Sequence, residues 1–237
     1  MKIIAIYGSQ GKGSTYNCVQ ILIEAMKQQG EIEIVEFTLP RDMPHFCIGC
    51  FACFLNGEDK CPHKQYVQPI VQALREADGI ILSSPVYACE VTGAMKAFID
   101  HLCYMWMPHR PMEEMFSKVA MVISTTAGKG TKTSMKTMAK SLNYWGVKRV
   151  YSYGTAVAAT CWHEVKDKKK IKIKRSLERK AKTFYKEIND RKKLKARLFT
   201  KIIFALMRGM LSKFEEGHKD RGYWEAMGWL GKKKPYL

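Results

Sequence analysis

The chain has 237 residues, is 46% hydrophobic and carries 40 Lys and Arg against 22 Asp and Glu, a formal net charge of +18. That apolar content excludes a disordered chain, and the length suits one core, alone or with an appendage. The charge is uneven: residues 1–163 hold 16 of the basic and 13 of the acidic side chains, and residues 164–237 hold 24 and 9. The basicity therefore belongs to the C-terminal third and says little about chemistry in the first part. No run of about 18 uncharged apolar residues occurs, so no membrane-spanning helix is expected. The opening MKIIAIYGS has too short an apolar run for a signal-peptide core, and a cytoplasmic location is expected. In a reducing cytoplasm the eight cysteines point to metal binding or redox work rather than to structural disulfides.

Lys2–Tyr7 (KIIAIY) is short, apolar and β-branched, the pattern of a buried parallel strand. After the loop GSQGKGST, Asn17–Gln29 carries Cys18, Ile21, Leu22, Ala25 and Met26 at helical spacing, with Gly30 as a stop. Glu31–Thr38 alternates apolar and polar residues and predicts a half-exposed edge strand; a cysteine-rich loop, 45–63, follows. Gln65–Ala77 reads as a helix, Gly79–Ser83 as a buried strand and Gly93–Met105 as a helix. Lys118–Ser124 reads as a strand, Lys132–Trp145 as a helix and Lys148–Val157 as the last strand. Five strands alternating with helices predict an α/β doubly wound domain over 1–163, a parallel sheet in the order 2-1-3-4-5.

The loop Gly8 to Thr15 joins the first strand to the first helix. In open α/β sheets ligands bind at the carboxyl ends of strands, and glycines there let backbone amides approach a phosphate. It is not a Walker A loop, because Ser14 and Thr15 follow Gly13 where Lys is needed, and Tyr16 occupies the third glycine position of a dinucleotide fingerprint. What remains is a set of neutral donors suited to a phosphate monoester; an ordinary N-capped turn is the plain alternative. Ser83-Ser84-Pro85-Val86-Tyr87 and Ser124-Thr125-Thr126-Ala127-Gly128 end two further strands at the same edge and offer backbone donors and an apolar face to a flat ring.

Cys47, Cys50, Cys53 and Cys61 form CxxCxxC with a fourth cysteine returned by a loop containing Asn56-Gly57. Three closely spaced thiolates and one more suit an iron–sulfur cluster, and Cys61-Pro62 echoes the ferredoxin ending. Zinc is a second reading, with His45 and His63 as substitute ligands, and free thiols or a disulfide a third. Cys18, Cys89, Cys103 and Cys161 are scattered, and core packing is their expected role, with Cys89 set apart because it follows SPVY.

The order GSxxxGST-x-N, SPVY and TGAMKAFIDH resembles the NADPH-dependent FMN reductase branch of the flavodoxin-like superfamily, over about residues 1–160. With the cysteine motif it resembles the iron–sulfur flavoproteins. The resemblance implies FMN, its phosphate held by Ser9, Gly13, Ser14, Thr15 and Asn17. Its ring would lie against Ser84, Pro85, Val86 and Tyr87, with Thr125, Thr126 and Gly128 on the other side. It further implies a 4Fe-4S cluster on Cys47, Cys50, Cys53 and Cys61, electrons moving between cluster and FMN, and NAD(P)H as donor. Where relatives often carry paired Asp after the last cysteine, this chain has Lys64 and Gln65. A cluster-free NAD(P)H-dependent FMN or quinone reductase is the alternative. The chemistry is flavin-centred, and no side chain is singled out as an acid or base.

Residues 164–237 read as a basic helical extension, with Ile171, Ile173, Leu177, Ala181, Phe184 and Ile188 at helical spacing. Residues 192–214 form a basic amphipathic helix that favours a membrane surface or a partner over nucleic acid. A small-molecule or protein redox partner and a homo-oligomer, dimer or tetramer, complete the expectation.

Overall fold

The computed structural model describes residues 1–236. Strands β1 (Lys2–Tyr7), β2 (Glu33–Thr38), β3 (Gly79–Pro85), β4 (Val119–Thr126) and β5 (Arg149–Ala156) form one parallel sheet in the order β2-β1-β3-β4-β5. The register sets Ala5 opposite both Glu36 and Ile81. This is the doubly wound arrangement expected from the alternation of elements, and its strand order is the flavodoxin-like one that the resemblance implies. β2 lies at the edge, as its alternating pattern predicted, and no residue of it is fully buried. β1, β3 and β4 are buried on both faces, which explains their unbroken apolar runs.

Helices cover both faces. Ile4, Ile6, Ile80, Leu82, Ala120 and Val122 point to the side covered by α3 (Lys64–Glu76), α4 (Gly93–His101) and α5 (Thr131–Tyr144). Ile3, Ala5, Ile81, Met121 and Ile123 point to the side covered by α1 (Ser14–Lys27) and α6 (Asp167–Asn189). The short α2 (Ala52–Leu55) lies within the cysteine-rich loop.

The change of composition near residue 164 does not mark an edge of the core. Ile173, Leu177, Ala181, Phe184 and Ile188 of α6 are all buried in the same cluster as α1. Ile188 sits so close over Gly79 that an added Cβ there would lie 2.5 Å from its Cδ1. Beyond α6, α7 (Leu198–Leu211) and α8 (Lys219–Ala226) build a third cluster in which Phe204, Leu211, Trp224, Trp229 and Tyr236 pack on Met107 and Phe116. Among the described residues, no helix is long and apolar enough to cross a membrane.

Candidate functional site

The first cavity, about 370 Å³, is built by four chain segments at the carboxyl ends of β1, β3, β4 and β5. Ser9, Gly11, Gly13, Ser14 and Thr15 line one side, Pro85, Val86 and Tyr87 another, and Thr125, Thr126 and Ala127 a third. Val157, Ala159 and Thr160 close it, and no Asp, Glu, Lys, Arg or His side chain stands in its wall. Gly13 is the N-cap of α1 and has no side chain to cap the first-turn N–H groups. Ser14 Oγ is buried and has no hydrogen-bond partner. A Cβ added at Gly11 or Gly13 would meet nothing within 4 Å, so the loop around them is open. An uncapped helix terminus with an unpaired hydroxyl is an anion cradle made of neutral donors. Thr15 Oγ1 lies 2.7 Å from Thr125 Oγ1 and ties the first loop to β4.

Three of the residues singled out from the sequence stand behind this wall. Asn17 Nδ2 donates to the carbonyls of Lys12 and Gly13 at 3.1 and 2.9 Å and holds the loop's shape. Ser84 Oγ accepts the Thr92 N–H at 3.0 Å and donates to the Pro85 carbonyl at 2.9 Å. Gly128 N–H donates to Thr126 Oγ1 at 3.2 Å within the turn. Val157, Ala159 and Thr160 belong to no segment singled out from the sequence, although the rule that places the other loops also applies to the end of β5.

The second cavity, about 200 Å³, gathers Cys47, Cys50, Cys53 and Cys61, and a fifth cysteine, Cys103. The expectation that Cys103 packs in the core is thus corrected. α4 ends at His101, and the 3-10 turn Cys103–Met105 carries the thiol into the cavity. Cys18 is buried in the core as expected, Cys161 is half-buried, and Cys89 is exposed and outside the wall of the first cavity. All eight cysteines are free thiols. Ile48, Phe51, Phe54 and Pro62 supply apolar walls. The Cys103 thiol, donating to Cys53, lowers the Cys53 pKa to about 7 against the effect of burial, and the charge of Arg110 adds to this. Burial, then the neighbouring thiols, push Cys61 up.

Two histidines complete the wall. His101 is buried; its Nδ1–H donates to the Ala97 carbonyl at 2.8 Å, which leaves Nε2 as the acceptor 2.9 Å from His63 Nδ1. Burial, then the neighbouring imidazoles of His101 and His45, lower the His63 pKa. Cys61, His63 and His101 present donor atoms within 4.8 Å of one another.

α4 joins the two cavities. Its N-cap Thr92 accepts the Met95 N–H and donates from Oγ1 to the Gly8 carbonyl behind the first cavity. Its other end carries His101 into the second, about 13 Å away along the helix axis.

The cysteine loop is fixed from behind by the C-terminal extension. Arg110 donates both to the Cys53 carbonyl and to Asp220 Oδ1 on α8. Asp220 Oδ2 lies 2.8 Å from His109 Nδ1. Trp224 Nε1 donates to the His109 carbonyl, and Tyr223 hydroxyl to the Pro111 carbonyl, each at 2.7 Å.

Residues 1–163 match the family model described as NADPH-dependent FMN reductase. An iron–sulfur flavoprotein of Methanocaldococcus jannaschii is 26% identical over 178 residues, 72% of this chain and 86% of that protein. One of Archaeoglobus fulgidus is 28% identical over 159 residues, 66% and 70% of the two chains. The structure of a flavone reductase superposes with a TM-score of 0.62 at 14% identity, covering 83% of this chain and 66% of that one, which shows the shared fold. With a five-stranded 2-1-3-4-5 sheet and a family match over residues 1–163, the chain belongs to the NADPH-dependent FMN reductase family and is an FMN-dependent oxidoreductase of flavodoxin-like fold.

Proposed function

We propose that the first cavity holds FMN, that the second holds a 4Fe-4S cluster on Cys47, Cys50, Cys53 and Cys61, and that the protein moves electrons between them with NAD(P)H as donor. The observation that carries the FMN assignment is the buried, unpartnered Ser14 Oγ beside the uncapped start of α1. Ser9, Ser14 and Thr15 would meet the phosphate, and Pro85, Val86 and Tyr87 the ring; Asn17 and Ser84 support the loops from behind. FMN, when bound, supplies the exchange between two-electron and one-electron steps that a cluster alone lacks. The donor set fits a cluster: four thiols and apolar walls surround one cavity, and Cys53 is biased toward thiolate. Cys103 stands beside Cys53 as a hydrogen-bond donor to it rather than as a fifth ligand. Phe46, Ile48, Phe51 and Leu55 form an exposed apolar collar on the same loop, which supports a homo-oligomer that covers it.

Anaerobic purification tests the reading. A brown protein with FMN, and with iron and acid-labile sulfide in equal amounts lost in Cys50→Ser, is expected. A colourless protein without flavin refutes the whole reading. A yellow, iron-free protein refutes the cluster and leaves a cluster-free NAD(P)H-dependent FMN or quinone reductase. A second reading rests on the donor trio Cys61, His63 and His101, close enough together to share one ion. A single zinc-class ion needs donors about 2.0–2.3 Å from the metal, and a buried histidine oriented by a backbone carbonyl is a usual ligand. Zinc lost in His101→Ala, with no iron in the native protein, decides for that reading.

A further inference from the structure

Leu198, Ile202, Leu206 and Met210 recur at every fourth residue of α7, with Phe199 beside them, and all five are 37 to 72% exposed. Ala205 and Gly209, also exposed, fill the gaps in this stripe, which is about 18 Å long. The helix does not need this face for folding. Its opposite side, Thr200, Phe204 and Leu211, is already buried against the tryptophans of the third cluster. The apolar stripe is therefore presented outward on a rigid support.

The charge around it says what covers it. Between Asp190 and Glu215 the chain has no acidic residue and eight Lys and Arg. Arg191 and Arg208 are engaged within the protein, with Asp78 and with the Trp229 and Lys233 carbonyls. The other six are exposed; Lys193 pairs with Asp190 and Arg197 donates to Asn143, which leaves Lys192 and Lys195 before the helix, Lys201 on it and Lys213 after it to face outward. A two-fold contact with a second copy would lay this cationic segment against itself, which opposes pairing. A surface complementary to it is apolar in depth and anionic at its boundary, which describes the headgroup region of an acidic bilayer. We propose that α7 docks the protein on an anionic membrane surface, with Leu198, Ile202, Leu206 and Met210 at the acyl boundary and the flanking lysines among the lipid phosphates. The face is separate from both cavities, so the inference does not depend on the cofactor assignment.

Sedimentation of the full-length holoprotein with vesicles tests it. Phosphatidylcholine vesicles and vesicles of equal parts phosphatidylcholine and phosphatidylglycerol would be compared at low and high salt. Binding to the anionic vesicles alone, weakened by salt, is expected. Each of Lys192→Gln and Lys195→Gln should weaken it about fivefold. The double variant Ile202→Ser/Leu206→Ser should weaken it by about tenfold or more. These positions are exposed, and retained far-ultraviolet dichroism would show that each variant is folded. Absence of binding to anionic vesicles overturns the proposal and leaves the face to an acidic protein groove. Equal binding to both vesicle types, or no effect of the double variant, also overturns it. So does a concentration-dependent dimer that the double variant dissolves.

Discussion

Asp220→Ala should destabilise the fold strongly. Asp220 and Arg110 are 5% and 6% exposed and pair directly, and Asp220 also holds His109. Removing the carboxylate leaves a buried guanidinium whose other acidic neighbour, Glu58, is half-exposed at 3.5 Å. Breaking one side of a buried pair costs about 3–5 kcal/mol, a large part of a typical stability of about 5–15 kcal/mol. With a urea slope near 3 kcal/mol/M, the midpoint should fall by about 1 M or more. Arg110 also anchors the Cys53 carbonyl, so the same variant should alkylate faster at Cys53 in metal-free protein. The double variant Asp220→Ala/Arg110→Met removes both charges and should cost less than Asp220→Ala alone. A midpoint unchanged in Asp220→Ala, or a double variant at the sum of its two single costs, would refute this account of the pair.

Other outcomes follow from single groups. Ser14→Ala should weaken FMN binding by about tenfold or more, because a hydrogen bond to a charged group is worth about 1.5–3 kcal/mol; fluorescence titration of the flavin measures it. Gly8→Ala should destabilise the fold and loosen flavin, since the new Cβ would lie 2.9 Å from the Ser83 carbonyl oxygen and 3.2 Å from Met95 Cβ; an unchanged melting curve would contradict the crowding. Cys103→Ser should change the alkylation pH profile of Cys53 in metal-free protein, where half-reaction near pH 7 is expected for the native chain. Lys118 is buried, donates to the Arg75 and Ala77 carbonyls, and burial lowers its pKa from 10.5 to about 8. The unfolded chain therefore holds this proton between pH 8 and 10.5 while the folded chain releases it, so stability on this account rises with pH across that window, by at most ~3 kcal/mol. Lys118→Met should lose that rise, which urea midpoints for the two proteins at the ends of the window would show.

Much of the sheet was legible because buried parallel strands leave unbroken β-branched runs, as in KIIAIY, and the edge strand leaves an alternating one. Boundaries were less legible. The apolar spacing starts α1 at Asn17, but the helix begins at Ser14, because its cap is a glycine with no side-chain signal. The helix expected to run to Met105 ends at His101, where Leu102 adopts φ −100 and ψ 17 without a Gly or Pro to announce it. That hidden break turns Cys103 away from the core and into the second cavity. The cysteine spacing was local and therefore visible, whereas Arg110 meets Asp220 across 110 residues and no short pattern encodes that. The buried stripe of α6 was visible as a spacing, but the sequence did not say that the sheet itself covers it.

The tie between the cysteine loop and α8 has a consequence for the order of events during synthesis. The thiols at 47–61 leave the ribosome first, whereas their anchor at Asp220 and Trp224 is made about 160 residues later. Until α8 has been made, therefore, four of the five sulfurs of the second cavity belong to a loop without its final support, and delivery of a metal or cluster to them is best timed after that helix has docked. Oxidative damage to these thiols should accordingly be heaviest in nascent chains, and slowing elongation between the cysteine loop and α8 should increase it.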